Sequence, residues 1–229
     1  MYIFKCILCR QRSHAASQIC NDCYQSLPWH VGCGRCGNSI LVTATGTHCK
    51  HCLLEPPPYQ QLISAWQYAF PLSQIISQFK FSDQIHWQKF LSQGLIRQLQ
   101  QRPDFILPDR IIPMPLHLKR LRQRGYNQAN LIAKSIAKHL SIKLNTNLCS
   151  RQKYTQPQVE LPEKNRRANV RNAFHVAQSL KNLKIAIVDD VVTTGSTAAS
   201  LSQALLGAGA EHIQVWCLTK TSSSTPTKN

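Results

Sequence analysis

The chain has 229 residues, a formal net charge of +17 and a pI near 9.8. Its length holds one α/β domain with a real core plus a small appendage, and its charge points to polyanionic partners, nucleic acid or phosphorylated metabolites. No apolar run approaches the roughly 20 residues that span a bilayer, and Met1 to Cys9 lacks a signal peptide's apolar core and cleavage site, so membrane insertion is not expected and a cytoplasmic setting is.

The first quarter of the chain is set by four C-x-x-C knuckles, Cys6/Cys9, Cys20/Cys23, Cys33/Cys36 and Cys49/Cys52. Each knuckle presents two thiolates from one tight turn, and two knuckles complete a tetrahedral Cys₄ zinc site. The spacers, ten residues in the first half and twelve in the second, have the length of zinc-ribbon loops. Sequential pairing joins Cys6, Cys9, Cys20 and Cys23 in one site and Cys33, Cys36, Cys49 and Cys52 in the other. A cross-braced arrangement, first with third and second with fourth, satisfies the spacing as well. Four thiolates leave no open coordination position, so two zinc ions would be structural, stabilising a segment too poor in aliphatic residues to fold well alone. His14, His30, His48 and His51 are read as bystanders, and Cys149 and Cys217 as ordinary buried cysteines.

Glu55-Pro56-Pro57-Pro58 is a stiff break, placing a zinc-knuckle region at 1–55 and a larger domain at 56–220. Leu62 to Phe70 reads as a strand. Pro71 to Phe81 reads as a helix with Leu72, Ile75, Ile76 and Phe79 on one stripe, and a second helix follows from about Ile85 to Arg102. Arg110 to Leu116 is a buried strand cut short by prolines. The next segment, Lys119-Arg120-Leu121-Arg122-Gln123-Arg124-Gly125-Tyr126-Asn127-Gln128, brings four cations within six residues. Read as a loop after a parallel strand it would clamp a pyrophosphate, with Arg120 and Arg124 better suited than Lys119 because a guanidinium forks onto phosphate oxygens. As a surface charge run it would be unremarkable. A helix is expected from about Asn127 to Leu140.

Between Arg110 and Lys184 the only acids are Glu160 and Glu163. A third basic cluster, Asn165-Arg166-Arg167-Ala168-Asn169-Val170-Arg171, reads equally as an exposed basic helix or as a segment meeting ligand or nucleic-acid backbone. The most informative stretch follows. The apolar run Ile185 to Val188 suits a strand buried on both faces, and it ends in Asp189 and Asp190, where open α/β sheets bind ligands. Thr193, Thr194, Gly195, Ser196 and Thr197 then lead into a helix whose backbone N–H groups and hydroxyls form an anion cradle. Leu201, Ala204, Leu205 and Ala208 mark that helix's apolar face, His212 to Leu218 a last strand, and 221–229 a polar, disordered tail. Strands alternating with helices give a mostly parallel, doubly wound sheet.

Val188 to Thr197 resembles the phosphoribosyl-pyrophosphate (PRPP) motif of type I phosphoribosyltransferases. With the knuckles, Pro113-Met114-Pro115-Leu116, Arg124-Gly125-Tyr126-Asn127-Gln128 and Arg166-Arg167-Ala168-Asn169-Val170-Arg171-Asn172-Ala173-Phe174, the chain resembles the ComF family from Cys6 to about Thr219. The resemblance implies a type I phosphoribosyltransferase fold behind a zinc-finger region. It implies a role in natural transformation, with single-stranded DNA and DNA-processing proteins as partners. Asp189 and Asp190, the catalytic pair if the site turns over, would hold ribose hydroxyls directly or through Mg²⁺. Thr193, Thr194, Gly195, Ser196 and Thr197 would cradle the 5-phosphate, Lys119, Arg120 and Arg124 would face the pyrophosphate, and Arg166, Arg167 and Arg171 would serve as a lid or touch nucleic acid. The chain departs from the family pattern at Asn165, where an acid often precedes the arginine pair. An active phosphoribosyltransferase acting on a base or amine and a non-catalytic PRPP-responsive module are the alternatives to a DNA-handling protein.

Overall fold

The computed structural model describes residues 4–13, 19–39, 48–80, 85–152 and 173–221. In chain order, the cysteine-rich region holds a short antiparallel pair, β1 (Phe4–Lys5) and β2 (Arg12–Ser13), and two single-turn helices, α1 (Asn21–Gln25) and α2 (Lys50–Leu54). Then come β3 (Gln61–Gln67), α3 (Leu72–Phe79), α4 (Trp87–Gln100), β4 (Arg110–Pro113), α5 (Leu118–Arg124) and α6 (Gln128–Leu140). The chain continues through β5 (Lys143–Leu144), β6 (Cys149–Arg151), β7 (Phe174–Val176), β8 (Lys184–Val192), α7 (Ser196–Gly207) and β9 (His212–Lys220).

Five strands form one sheet in the order β3-β9-β8-β4-β5, every neighbouring pair parallel. Strand periodicity explains why β8 reads as an unbroken apolar run. Ile185 and Ile187 join one core cluster with Ala198, Leu201 and Leu205 of α7. Ala186 and Val188 point the other way, into a cluster with α3, α4 and α6. The adjacent β9 divides likewise, with Ile213, Val215 and Cys217 on the α7 side and Trp216 and Leu218 on the other. With helices on both faces, Ile185 to Val188 of β8 carry no polar side chain. The doubly wound sheet is therefore the expected fold class, built around its two longest strands.

One expectation changes. The basic segment after β4 is not a loop along its length but a helix, α5. The sequence 118–124 contains no β-branched residue or glycine to oppose helix formation. The ring of His117 accepts from the backbone N–H of Lys119 at 3.2 Å, and Gly125, at φ +77°, ends the helix. No α5 residue is buried, so its cations stay at the surface. The small antiparallel pair β6–β7 was also not legible, since strands of three residues carry no usable periodicity. The cluster 165–171 and the tail 222–229 lie outside the described residues, as does His14. No described helix is long and apolar enough to cross a membrane.

The outer edge of β3 is covered by the cysteine-rich region. Leu62 donates its N–H to Gly34 at 3.0 Å, His30 donates to Ala65 at 3.1 Å, and Gln67 donates to Pro28 at 2.8 Å. An antiparallel bridge pairs Trp29 with Trp66. Segment 28–34 thus supplies a partner to backbone groups that an edge strand would otherwise expose. Side chains reinforce the join. Trp66 is fully buried between Trp29, 5.4 Å away, and Phe90, stacked at 5.5 Å. Cys6, Ile19 and Leu27 belong to the same core cluster as Ile63 and Leu95. Tyr24, Trp29 and Trp66 are therefore packing residues, with Arg97 lying over the first two rings.

Helix α4 approaches Trp66 so closely at Gly94 that a Cβ there would fall 2.0 Å from the indole. Gly94→Ala is expected to cost about 1–3 kcal/mol through overpacking. Gly207→Ala, where a Cβ meets nothing within 4 Å, should gain up to about 0.5–1 kcal/mol from the helix term. Urea unfolding of the two variants beside the wild type checks both signs, and equal stabilities would contradict the packing described.

Candidate functional site

The apolar run of β8 ends at the carboxyl edge of the sheet, where side chains no longer face helices. Asp189 and Asp190 stand there, and each carboxylate turns back on the chain. Asp189 accepts from the N–H of Asp190 at 2.9 Å, and Asp190 from the N–H of Val191 at 2.8 Å. Burial, and next the neighbouring Asp190 charge, raise the Asp189 carboxyl well above its ordinary range. Two adjacent carboxylates partly removed from water repel each other, and a cation relieves that repulsion. One cation is already near. Lys80 Nζ lies 3.8 Å from Asp190 Oδ2.

Lys80 reaches the acids because the end of α3 is pinned. Tyr126 donates its hydroxyl hydrogen to the carbonyl of Phe79, and the Gln128 amide donates to the carbonyl of Lys80 at 3.3 Å. The Asn127 amide donates to the carbonyl of Met114 at 3.0 Å, fixing the same junction to the end of β4. Residues 126–128 therefore tie three elements together beneath the site. Sequence reading missed Lys80, because an isolated lysine after an amphipathic helix carries no motif.

Beyond the acids the chain turns into α7. Gly195 caps the helix at φ +80°, a conformation that a side chain resists, and a Cβ there would also lie 2.9 Å from the Tyr59 hydroxyl oxygen. The hydroxyls of Thr194 and Ser196 are 2.8 Å apart, and the Ser196 N–H donates to Thr194 Oγ1 at 3.4 Å. The first turn of α7 contains no acid, so its positive end is uncompensated. From below, the buried Lys220 donates from Nζ to the carbonyls of Thr193 and Thr221, at 2.8 and 2.7 Å. Thr193, Thr194, Gly195, Ser196 and Thr197 thus form one turn at the end of β8, with hydroxyls and backbone N–H groups disposed for an anion.

The cations divide. Arg124 reaches Gln128 through Nη1 at 3.4 Å, while Lys119 is exposed on the first turn of α5. Arg120 lies close enough to Arg151, at the end of β6, to act on its charge. Burial first, and then Arg120, lower the Arg151 guanidinium, while Asp189 favours its charged form. Arg151 is a second residue that sequence reading passed over. Its guanidinium also sits 5.6 Å from the Phe174 ring centre, across the β6–β7 pair.

The eight knuckle cysteines gather in sequential sets. The sulfurs of Cys6, Cys9, Cys20 and Cys23 lie within 4.8 Å of one another, as do those of Cys33, Cys36, Cys49 and Cys52. Either set could hold a metal ion. Burial acts to raise the Cys33 thiol, but backbone N–H groups, led by that of Cys36, outweigh it and bring the value down to about 7. Cys36, by contrast, is pushed up to about 11, by burial first and with Cys33 contributing. Four thiols gathered this closely are the donor set of a tetrahedral structural site. Among the described histidines none joins either set. His30 instead bonds the carbonyl of Gly37 at 2.7 Å. Cys149 and Cys217 are buried away from both sets, each raised to about 12 by burial.

The acid pair yields a prediction with a definite sign. A carboxyl whose folded value is raised binds its proton more tightly in the folded state, so its ionised form costs stability at neutral pH. Asp189→Asn is therefore expected to raise the unfolding midpoint at pH 7 without divalent cation. The gain should fade as pH falls through the raised value, where the wild-type carboxyl is itself protonated. Thermal melts across pH 4–8 test this, and a gain that grows on acidification would refute it.

Comparison with known proteins follows the same lines. No family model matches the chain. Among solved structures, a purine phosphoribosyltransferase from Pyrococcus horikoshii overlaps 62% of this chain and 80% of its own, with 22% identity and a TM-score of 0.39. An adenine phosphoribosyltransferase from Leishmania tarentolae overlaps 70% and 77%, with 18% identity and a TM-score of 0.38. These overlaps are partial, and the fold is defined by the strand order itself. Full-length relatives are much more similar. Competence protein F of Haemophilus influenzae is 37% identical over 224 residues, 95% of this chain and 97% of that protein. The DNA utilization protein YhgH of Salmonella typhimurium is 35% identical over 94% of this chain and 96% of its own length. Competence protein ComFC of Bacillus subtilis is 25% identical over 84% and 79%. With identity at this level along nearly its whole length, the chain belongs to the ComF family of competence proteins.

Proposed function

We propose that this protein is a ComF-like competence protein, acting in the cytoplasm on incoming single-stranded DNA during natural transformation, and that its sheet carries a PRPP-type site. The observation that carries the ligand reading is the acid pair Asp189/Asp190 followed directly by the Gly195-capped turn of α7. Ribose hydroxyls suit the first and a 5-phosphate the second. The names of the relatives, competence and DNA utilization proteins, support the setting. The net charge supports a polyanionic partner, DNA-processing proteins being the further partners of this reading.

In this reading Thr193, Thr194, Gly195, Ser196 and Thr197 hold the 5-phosphate. Asp189 and Asp190 hold the ribose hydroxyls, directly or through Mg²⁺, whose charge would relieve their mutual repulsion and stabilise a leaving pyrophosphate. Arg120 and Arg124, with Lys119 at the rim, serve the pyrophosphate, and Arg166, Arg167 and Arg171 contact ligand or nucleic acid. Lys80 adds a fixed positive charge 3.8 Å from Asp190. Residues 1–55 form the zinc region and 56–220 the ligand-binding domain. Each Cys₄ set takes one structural zinc, closed to substrate by its four thiolates.

The acid pair also supports a second reading, pentosyl transfer from PRPP. A base or amine would bond to the anomeric carbon as its bond to pyrophosphate breaks, the pyrophosphate leaving with both electrons. Positioned charge at the leaving group would be the main source of rate.

Calorimetry separates these readings. PRPP is expected to bind with Mg²⁺ and to lose about tenfold or more in affinity in Asp190→Asn, a cost of at least ~1.4 kcal/mol. Binding of single-stranded DNA should weaken steeply between low and moderate salt, the mark of phosphate contacts. Pyrophosphate release with a panel of bases and amines would establish the second reading, and absence of PRPP binding would defeat both. Metal analysis of the purified, reduced protein should give about two equivalents of zinc per chain, and a value near zero in a folded sample would refute the zinc assignment.

A further inference from the structure

On the reading above the turn at 193–197 holds a phosphate, yet the groups beside it are acidic. On one side a small recess is lined by Asp189, Thr193 and Thr197. On the other side Thr194, Gly195 and Ser196 open into a cleft of about 370 Å³, which Cys36 and Cys52 of the second cysteine set also line. With the zinc proposed for it, that set of four thiolates keeps a net negative charge. Neither lining includes a lysine or an arginine. Like charges gathered in one place disfavour each other, so the hydroxyls and N–H groups of the turn do not by themselves account for an anion there.

A cation does reach the turn, from underneath. Lys220, the last residue of β9, is 2% exposed. Its backbone pairs on both sides, with Gln67 of β3 and Val192 of β8. Its stem lies against Gly37, where a Cβ would come 3.4 Å from Lys220 Cγ. Its Nζ donates to the carbonyls of Thr193 and Thr221, and no carboxylate of the described residues pairs with it. A buried ammonium without an acid partner is costly, and an anion on the turn supplies the opposite charge. The bond to Thr193 also has a directional consequence. The one cis peptide among the described residues is Phe70–Pro71, so the peptide joining Thr193 to Thr194 is trans. In a trans peptide C=O and N–H point opposite ways. Holding the Thr193 oxygen therefore aims the Thr194 N–H away from the lysine, and the ammonium polarises the peptide so that this N–H donates more strongly.

We propose that Lys220 is the positioning residue of the anion turn. Its buried charge and its bond to Thr193 make 193–197 a phosphate site in spite of Asp189 on one side and the second cysteine set on the other. Lys220 does not touch the ligand. It acts through the Thr193–Thr194 peptide, which it orients and polarises, and through its charge, which offsets that of the phosphate. This assignment rests on the phosphate reading of the turn given above and names the group on which that reading depends.

The test measures ribose 5-phosphate and inorganic phosphate binding by calorimetry in the full-length wild type, Lys220→Met and Lys220→Arg. Methionine matches the lysine stem without its charge, whereas arginine keeps the charge on a bulkier group. Lys220→Met should weaken ribose 5-phosphate about tenfold or more, and Lys220→Arg should stay within about threefold of the wild type. A lysine that merely packs gives the reverse order, methionine keeping the affinity and arginine losing it, and that order would overturn the assignment. Equal affinity in all three proteins would do the same. Equal loss in both variants is decided by Lys220→Ala, in which propylammonium, and not propanol, should restore binding. Failure of that rescue, or rescue by both additives alike, would refute the role of the charge. Should the wild type bind phosphate but not ribose 5-phosphate, the phosphoribosyl reading alone falls, and the same variants are read with phosphate. A wild type that binds neither anion would end this assignment as well.

Discussion

The parallel sheet ends at β3, and an edge strand must give its outward N–H and C=O groups to something. Here the recipient is the backbone of residues 28–34, between the two cysteine sets. This pairing fixes the cysteine-rich region on the sheet. It docks the second cysteine set against the sheet and seats Gly37 beside Leu62 and Lys220. Lys220 in turn holds the carbonyl of Thr193. A path of direct contacts thus runs from a cysteine knuckle to the anion turn through one buried lysine.

Electrostatics at the site run against the whole-chain charge. The protein carries an excess of cations, yet the carboxyl end of β8 holds a pair of carboxylates, one of them raised by burial and by the other. This arrangement is costly without a ligand and favourable with a bridging cation, a combination that belongs to binding rather than to structure. The surrounding arginines are graded. Arg151 is partly buried near the acids, Arg120 acts on its charge, and Arg124 is engaged by Gln128. A basic surface thereby surrounds a centre of opposite sign.

The longest strands were legible in the sequence because burial on both faces removes polar residues from them, and Ile185 to Val188 could hardly be anything else. The acid pair and glycine turn were legible for a related reason, since their residue types break that run abruptly. The sequential grouping of the cysteines was one of two arrangements the spacing allows, and chain proximity in the folded region decides it. Other features were hidden. Lys80, Arg151, Tyr59 and Lys220 act through positions reached only after helices and strands have packed, and no local pattern marks them. The helix at 118–124 was obscured because seven polar-rich residues give too little periodicity to separate a short surface helix from a loop.

The covering of β3 bears on how the molecule fails. Residues 28–34 lie between the two cysteine sets and are held against β3 by backbone hydrogen bonds. A chain with open knuckles would uncover a seven-residue strand whose first six residues are buried. Uncovered strands of that kind pair with copies of themselves. On the zinc assignment proposed above, loss of metal would then appear first as self-association of intact sheets, before any loss of the helical core. For a protein of this charge the cysteine region is, in that sense, a safeguard of solubility as much as a part of the site.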